Sequence, residues 1–579
     1  MFRSLTTTQR QIALEKEGQF VVRACPGSGK TYAVAARLAH QLPKWNKRAQ
    51  GIAALSFTNV AWREIERKLS KNFSQNVPLR FPHFLGTLDS FINQFIFLPF
   101  GHHLLNCTKR PTLVGAPHSS WAIKRFERDY DQYFDKISYG VNDELVFPNI
   151  PNLFFFPFKQ FYKIDGSESQ HAVNMRAVKK RYWAKGYASQ DDANYFAYRI
   201  LEKFPNIARA LVYRFPNIIL DEAQDTNEIH MKILDKLIEH GLNEIALIGD
   251  QDQAIFEWNE AKPALFREKY NTWADNSVEL NENMRSSQKI CNVTKKLSTL
   301  SSTSRAINDT VRDLSIDPEI WVYDRDNVRD IVATFISKCE SFGISVEPQT
   351  VAVIYRSKSF YNDITGITSS FQSPSPWLDE DFLTQDIAKG AYLYHQGFFK
   401  EGFNVMERSL IKLLLNKSVV TADEHDKEIL KTGFKDHRSR VVKMLSDLPH
   451  SNLRIGDWIA SANPVISSLC STSSLRINDT HSGMNFSDIF PNERRDASPL
   501  PYTLGTVHSV KGETFDATLV LLREKVSKNY RTLLAEDTLQ DKNEELRIVY
   551  VGLTRPRKFV VLAVPNEKDK ASWSSKLFH

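Results

Sequence analysis

The stretch Ala24-Cys25-Pro26-Gly27-Ser28-Gly29-Lys30-Thr31 restricts the fold of this chain more than any other. It follows a short apolar run, Phe20-Val21-Val22, and precedes a helical pattern from Ala33 to Leu42, so the local order is strand, tight loop, helix. A loop of small residues in that setting turns successive backbone N–H groups toward phosphate oxygens, with the positive end of a helix behind them. Pro26, Gly27, Ser28 and Gly29 form the loop, Lys30 is the group that reaches the outer phosphates, and Thr31 supplies a hydroxyl for Mg²⁺. This is a Walker A pattern with Ala24 in the first glycine position.

A second strand and helix are predicted over Ile52 to Phe57 and Asn59 to Leu69. Ile218 to Leu220 and Ile245 to Ile248 read as further strands, and both run into acidic residues. Buried parallel strands do this where their carboxyl ends line a ligand crevice. Between the strand pairs, an insertion from about 91 to 204 is rich in aromatic and basic residues, and its late part, Ala188 to Leu211, reads as helix. The pattern returns with strands at Val351 to Tyr355, Thr518 to Leu522 and Phe559 to Val564, interrupted by a second insertion from about 366 to 499. The last part of that insertion, rich in Ser, Asn, Asp and Pro, reads as an exposed connection. A chain of 579 residues, 42% hydrophobic, has material for several cores. Roughly three or four compact units are expected, because single cores stop growing near about 250 to 300 residues.

Composition narrows the partners. The net charge of +7, from 75 Lys and Arg against 68 Asp and Glu, suits contact with phosphate backbones but falls short of a passive nucleic-acid coat. The five cysteines show no CxxC spacing, which argues against a zinc ribbon or an iron–sulfur site and fits a reducing cytosol. Met1 to Gly18 lacks the apolar run of a signal peptide. The apolar segments Phe91 to Phe100 and Leu153 to Phe158 are too short to cross a bilayer and read as core. A soluble cytoplasmic protein without a membrane partner is expected.

Asp221-Glu222 after Ile218-Ile219-Leu220 supplies what the phosphate loop lacks: one carboxylate for Mg²⁺ and a neighbour able to orient or deprotonate an attacking water. The full segment, Asp221-Glu222-Ala223-Gln224-Asp225, with Gly27 to Thr31 far upstream, resembles superfamily 1A helicases of the UvrD, Rep and PcrA group. Further motifs of that family then fall in order. Gln9 matches its adenine-reading glutamine. Phe57-Thr58-Asn59 is similar to a strand-end motif that contacts single-stranded DNA, and Gly86-Thr87-Leu88-Asp89-Ser90-Phe91 is similar to its GTxHSF motif, with Asp89 in place of histidine. Gly249 to Trp258 resembles GDxDQSIYxW, which couples the γ-phosphate through Gln253 to bases stacked on Phe256 and Trp258. Asn283-Met284-Arg285-Ser286 resembles NYRS, Tyr355-Arg356-Ser357 a strand-end motif of the second lobe, Thr506 to Asp516 the TxHxxKGxEFD motif with His508, and Glu545 to Arg555 the motif ending in a finger arginine.

The chain also departs from the family. The adenine clamp has Tyr32 and Met284 where the family has arginine and tyrosine, Asn259 replaces the arginine after Trp258, and Glu513 is displaced by one position, leaving its ribose contact a carry-over by likeness alone. Phe57, Phe256 and Trp258 are the candidate stacking aromatics, with core packing as the competing reading. Arg176, Lys179, Lys180, Arg181 and Lys185, interleaved with Tyr182 and Trp183, form either a nucleic-acid contact or a solvated helix face.

The resemblance implies an α/β fold of two RecA-like P-loop lobes, with parallel sheets flanked by helices. The lobes are expected over 1–90 with 205–284 and over 285–365 with 500–579; the mostly helical insertions are 91–204 and 366–499. It implies ATP and Mg²⁺ as cofactors. Lys30, Thr31 and Asp221 would hold Mg·ATP, Glu222 and Gln253 would act on the γ-phosphate and water, and Arg285 and Arg555 would stabilise transition-state charge. The implied partners are single-stranded DNA and junctions with duplex, contacted through Phe57, Thr58, Asn59, Thr87, Phe256, Trp258, Arg356 and His508, and the implied activity is 3′-to-5′ DNA unwinding. Two other readings stay open: a nucleic-acid-sensing ATPase that regulates a partner nuclease, since little chain follows Arg555 to form a nuclease domain, and a P-loop ATPase indifferent to nucleic acid.

Overall fold

The computed structural model describes residues 2, 4–73, 81–115, 118, 130–146, 168–255, 262–324, 327–357, 359–365, 376–378, 382–417, 420, 422–471, 473–490, 500–523, 530–535 and 543–578. The chain divides into two compact units. The first comprises Met1–Thr112, Lys136–Gly366 and Pro501–His579; the second comprises Leu113–Asp135 and Ile367–Leu500. The segment 91–204 is therefore shared between the units.

Two parallel sheets organise the first unit. One contains β1 (Gln19–Ala24), β2 (Ile52–Ser56), β3 (Phe84–Thr87), β4 (Asn217–Asp221), β5 (Glu244–Gly249) and β6 (Val278–Leu280), in the order β6-β1-β5-β4-β2-β3. The other contains β7 (Glu319–Val322), β8 (Val351–Tyr355), β9 (Thr503–Thr506), β10 (Phe515–Leu521) and β11 (Pro556–Val564), in the order β7-β11-β10-β8-β9. The central strands β2, β4 and β8 are buried along their whole length, as near-continuous apolar runs become when helices cover both faces of a sheet. Helices Lys30–Gln41 and Asn59–Phe73 cover one face of the first sheet, where Ala33, Ala36, Ile65, Leu69 and Phe73 join a core with Phe20, Val22 and Ile219.

The helix predicted over Ala188 to Leu211 is two helices, Gln190–Lys203 and Pro205–Arg214. Pro205 has no N–H to continue the first ladder and opens the second helix instead, with Phe204 bent out of helical geometry between them. Within the basic cluster of helix Gln170–Ala184, Lys179 is fully buried and donates to Asp192 Oδ1 at 2.8 Å, while Asp192 also completes the capping box of Ser189. Arg176 pairs with Glu168 at 2.6 Å and lies over the Tyr139 ring, and Trp183 is buried. Arg176, Lys179 and Trp183 therefore serve packing; Lys180, Arg181 and Lys185 remain on the exposed face. Lys179→Met would leave the Asp192 carboxylate buried without its cation. The expected loss is about 3 to 5 kcal/mol in denaturant unfolding, with part regained when Asp192 is also replaced by Leu.

The second unit is helical. Helices Phe382–His395 and Phe399–Leu415 approach so closely that a Cβ at Gly402 would lie 2.9 Å from the Gly390 carbonyl. Its core joins Ile387, Met406, Leu410, Val441, Met444 and Trp458. The part of this insertion expected as an exposed connection instead contributes Leu475, Phe486 and Phe490 to that core, since its scattered apolar residues outweigh the polar ones between them. The apolar segment Leu153 to Phe158 lies outside the described residues.

Candidate functional site

All strands of the first sheet run in one direction, so their carboxyl ends share one edge. Arg23 of β1 is in register with Gly249 of β5, and Asp221 of β4 with Ile248. The phosphate loop, Asp250 and Asp221-Glu222 are thus brought together from three neighbouring strands. Ser56 of β2 is in register with Thr87 of β3 on the other side, which sets Phe57, Thr58 and Asn59 beside the Thr87 turn. One edge therefore carries candidate phosphate residues at its centre and candidate nucleic-acid residues at its flank.

In the loop, Gly27 and Gly29 adopt left-handed φ of 71° and 73°. Substitution would also collide with neighbours: a Cβ on Gly27 would fall 2.5 Å from Arg285 Cβ, and one on Gly29 2.8 Å from Gln9 Nε2. Met284 N–H donates to the Gly27 carbonyl at 2.9 Å, and Asn283 Oδ1 accepts from the backbone N–H of Arg285 and Ser286 at 2.7 and 2.9 Å. This seats Arg285 against the loop. Pro26 and Ser28 are buried; the Ser28 hydroxyl donates to the Cys25 carbonyl at 2.7 Å. Gln9 is fully buried, donates to the Ser28 carbonyl at 2.8 Å and lies 3.9 Å from Met284 Sδ. Tyr32 packs its ring on Phe73 at 5.3 Å and bonds Ser4 through its hydroxyl.

Behind the loop, Thr31 Oγ1 lies 3.2 Å from Asp221 Oδ2, and the Glu222 N–H donates to Asp221 Oδ1 at 3.0 Å. Glu222 itself has φ of 55°, a left-handed conformation costly for a side chain with a Cβ. Gln224 Nε2 donates to Glu222 at 2.6 Å while its Oε1 accepts from Asp250 N–H at 2.9 Å, so one amide ties β4 to β5. Gln253 Nε2 donates to Asp250 at 2.7 Å.

The second sheet completes the group. Arg555 donates through Nη2 to Gln253 Oε1 at 3.0 Å, and Arg285 donates to the Thr554 carbonyl at 3.0 Å. Lys511 reaches both oxygens of Asp225, at 2.7 and 3.1 Å. Arg547 is fully buried and donates to the Ala254 carbonyl at 2.7 Å. Sequence reading did not single out the roles of Lys511, Asp225 and Arg547, although each falls inside a motif it recognised.

Electrostatics follow from burial. Asp221 is pushed up to about 7, first by burial and then by the Glu222 charge, and Asp250 likewise to about 7 by burial. Burial also pushes Asp225 up to about 6. Burial acts upward on Glu222 too, but Lys30, Lys511, the Gln224 amide and Arg555 outweigh it and hold Glu222 below the ordinary range. Burial lowers Lys30, yet Glu222, Asp250 and Asp221 reverse this and raise it. Arg285 falls to about 9, through burial and then Arg555 and Arg557, and burial takes Arg555 to about 10.

The raised Asp221 has a stability consequence. The folded chain holds a proton that the unfolded chain releases between pH 3.8 and about 7, so nucleotide-free stability falls as pH rises through that window. Asp221→Asn removes the penalty. At pH 8 the variant is expected to melt about 2 °C or more above its parent, with the gap closing near pH 4; a lower melting point at pH 8 would contradict the assignment.

Other expected nucleic-acid residues are placed as follows. Phe57 is half-buried, edge-on to His230 at 6.0 Å; Thr58 and Asn59 are exposed; Thr87 caps the turn at Ser90. Arg356 makes a two-pronged ion pair with buried Glu545, at 2.8 and 3.1 Å. His508 Nε2 sits 3.1 Å from the Ile255 carbonyl, and burial with Arg356 keeps its pKa low. The Glu513 side chain is exposed, and its carbonyl faces Arg555. Phe256 and Trp258, with Asn259, lie outside the described residues.

Residues 5–274 match the family model described as UvrD/REP helicase N-terminal domain. The chain is 25% identical to DNA helicase II of Haemophilus influenzae over 372 residues, 61% of this chain and 48% of the relative. It is 24% identical to the putative ATP-dependent DNA helicase YjcD of Bacillus subtilis over 368 residues, 61% of this chain and 46% of that one. A shorter stretch of 108 residues, 18% of this chain and 9% of the relative, is 35% identical to the exonuclease/helicase subunit RexA of Streptococcus pneumoniae. The matched stretches cover less than half the length of the two helicases. Among the described residues, no helix is long and apolar enough to cross a membrane. With a phosphate loop, paired carboxylates and two parallel sheets meeting in one site, and with these likenesses, residues 5–274 match the N-terminal domain of the UvrD/REP helicases and the chain is similar to UvrD-like superfamily 1 helicases.

Proposed function

We propose that this chain is a cytoplasmic ATP-dependent DNA motor that couples ATP hydrolysis to 3′-to-5′ movement on single-stranded DNA and opens duplex at junctions. The observation that carries the reading is the Arg555–Gln253 bond, through which a cation of the second sheet enters the carboxylate-lined site of the first. In this reading the lobes are 1–90 with 205–284 and 285–365 with 500–579, and 91–204 and 366–499 are their insertions. Lys30, Thr31 and Asp221 hold Mg·ATP. The convergence of Thr31 Oγ1 on a buried carboxyl pushed up to about 7 fits a divalent cation, which relieves the crowded negative charge. Bound Mg²⁺ supplies neutralisation of the β- and γ-phosphate oxygens.

Glu222, kept anionic by its cations, accepts a hydrogen bond from the attacking water; its depressed pKa suits orientation better than strong-base chemistry. Gln253 reads the γ-phosphate, and Arg285 and Arg555 stabilise charge when the lobes close. Their present acceptors, the Thr554 carbonyl and the Gln253 amide, hold both guanidinium groups within reach of the site. Closing and reopening then shift single-stranded DNA past Phe57, Thr58, Asn59, Thr87, Phe256, Trp258, Arg356 and His508. The polarity follows the family likeness.

ATP turnover with single-stranded DNA, duplex DNA, single-stranded RNA or no nucleic acid, beside single-turnover unwinding of 3′- and 5′-tailed duplexes, tests this. Stimulation by single-stranded DNA and unwinding of the 3′-tailed substrate are expected. Unwinding of only the 5′-tailed substrate overturns the polarity, and turnover indifferent to every nucleic acid overturns the motor. The likeness to an exonuclease/helicase component favours a second reading, an ATPase that senses nucleic acid and regulates a partner nuclease without processive unwinding. DNA-stimulated hydrolysis without strand separation, together with a co-purifying nuclease, would select it.

A further inference from the structure

We propose that His230, held by Asp89 and Asn194, is a positioning residue that sets the Phe57 ring and so links the nucleic-acid flank of the sheet to the carboxylate segment of the ATP site. The proposal rests on the motor reading above. Asp89 occupies the position of Gly86 to Phe91 where the family likeness expects histidine, and an imidazole reaches it from helix Glu228–Glu239. His230 Nε2 lies 3.2 Å from Asp89 Oδ1 and 3.1 Å from Asn194 Nδ2, which itself donates to the same Asp89 oxygen at 3.1 Å. The Asn194 amide oxygen accepts from Gln190 at 3.1 Å, and Gln190 accepts from Asn93 at 2.9 Å.

Asn93, Gln190, Asn194 and His230 are all buried, so the orientation of each amide and of the ring is set by the next member rather than by solvent. Phe57 meets His230 at 81° between ring planes. At the other end, Asn227 caps the helix by accepting from the His230 backbone N–H at 2.9 Å, directly after Asp225 and Thr226. The imidazole therefore hangs from the first helical turn beyond the carboxylate segment. A shift of that segment moves His230 and with it the Phe57 ring, and DNA stacked on Phe57 biases the segment in return.

The test uses the full chain with His230→Leu and His230→Gln, measuring turnover without nucleic acid and in an oligo-dT titration. Gln keeps a polar group within reach of Asp89 and Asn194; Leu keeps only bulk. Turnover without DNA should stay within about twofold in both variants. The half-stimulating oligo-dT concentration should rise about tenfold for Leu, in line with the loss of one base-stacking contact, and stay near the parent for Gln. A parental titration for Leu, or equal damage in both variants, overturns the proposal. If His230→Leu does not fold, Asp89→Ala, at a half-exposed side chain, must show the same rise without loss of DNA-free turnover. Absence of stimulation in the parent would instead sink the motor reading itself, and this inference with it.

Discussion

Glu222→Gln is expected to bind ATP about as tightly as the parent and to turn it over about 10³-fold more slowly, within the range for loss of a positioned acid–base group. The amide keeps the side chain's length and can still meet Gln224, so the backbone at φ 55° and the Asp221 contact remain. The negative charge facing the water is lost. Removing it also unbalances Lys30 and Lys511, both of which act on Glu222, so nucleotide affinity should hold or rise slightly. Equilibrium binding of a fluorescent ATP analogue, beside steady-state phosphate release, separates the two effects. Parental turnover would refute the role given to Glu222.

Arg555→Ala should lower DNA-stimulated turnover by about 10³-fold or more, the range seen when a cation across the cleft is removed from phosphoryl transfer. Arg555 is almost fully buried, and its loss leaves Gln253 Oε1 without that donor. A stability cost of about 1 to 3 kcal/mol should accompany the kinetic one. Arg555→Lys discriminates between the effects: it retains charge but cannot reproduce the contacts made by Nε to the Val551 carbonyl and by Nη2 to Gln253. Turnover by the Lys variant close to that of the parent would mean that charge alone matters; turnover close to that of Ala would assign the effect to geometry. Binding of ATP in the absence of DNA should change little in either, because the loop and Lys30 are untouched.

The strands most readable from sequence were those buried on both faces, since an apolar run such as Val351–Tyr355 announces itself. Within the two large parallel sheets, the four strands that went unread, Phe84–Thr87, Val278–Leu280, Glu319–Val322 and Thr503–Thr506, are the edges. Each has a neighbour on one side only and is partly exposed, so its residues need no apolar continuity. The phosphate loop and the Asp221-Glu222 pair were legible because their chemistry demands residue types at fixed spacing. The Lys511–Asp225 pair joins residues 286 positions apart, and nothing in either segment names the other. Arg356 stood out as a candidate nucleic-acid contact by its motif alone, and its pairing with Glu545, 189 positions away, is visible only in the fold.

Several contacts between the two sheets' elements end on main-chain oxygens: Arg547 on Ala254, Arg285 on Thr554, His508 on Ile255 and Ser286 on Pro556. A carbonyl survives every amino-acid replacement. Saturation mutagenesis should therefore be asymmetric across this seam, with sharp intolerance at 285 and 547 facing permissive acceptor positions such as 254, where size rather than chemistry sets the limit. Orthologous chains could drift on the acceptor side without loosening the seam, and covariation statistics would then miss a contact that mechanical coupling depends on.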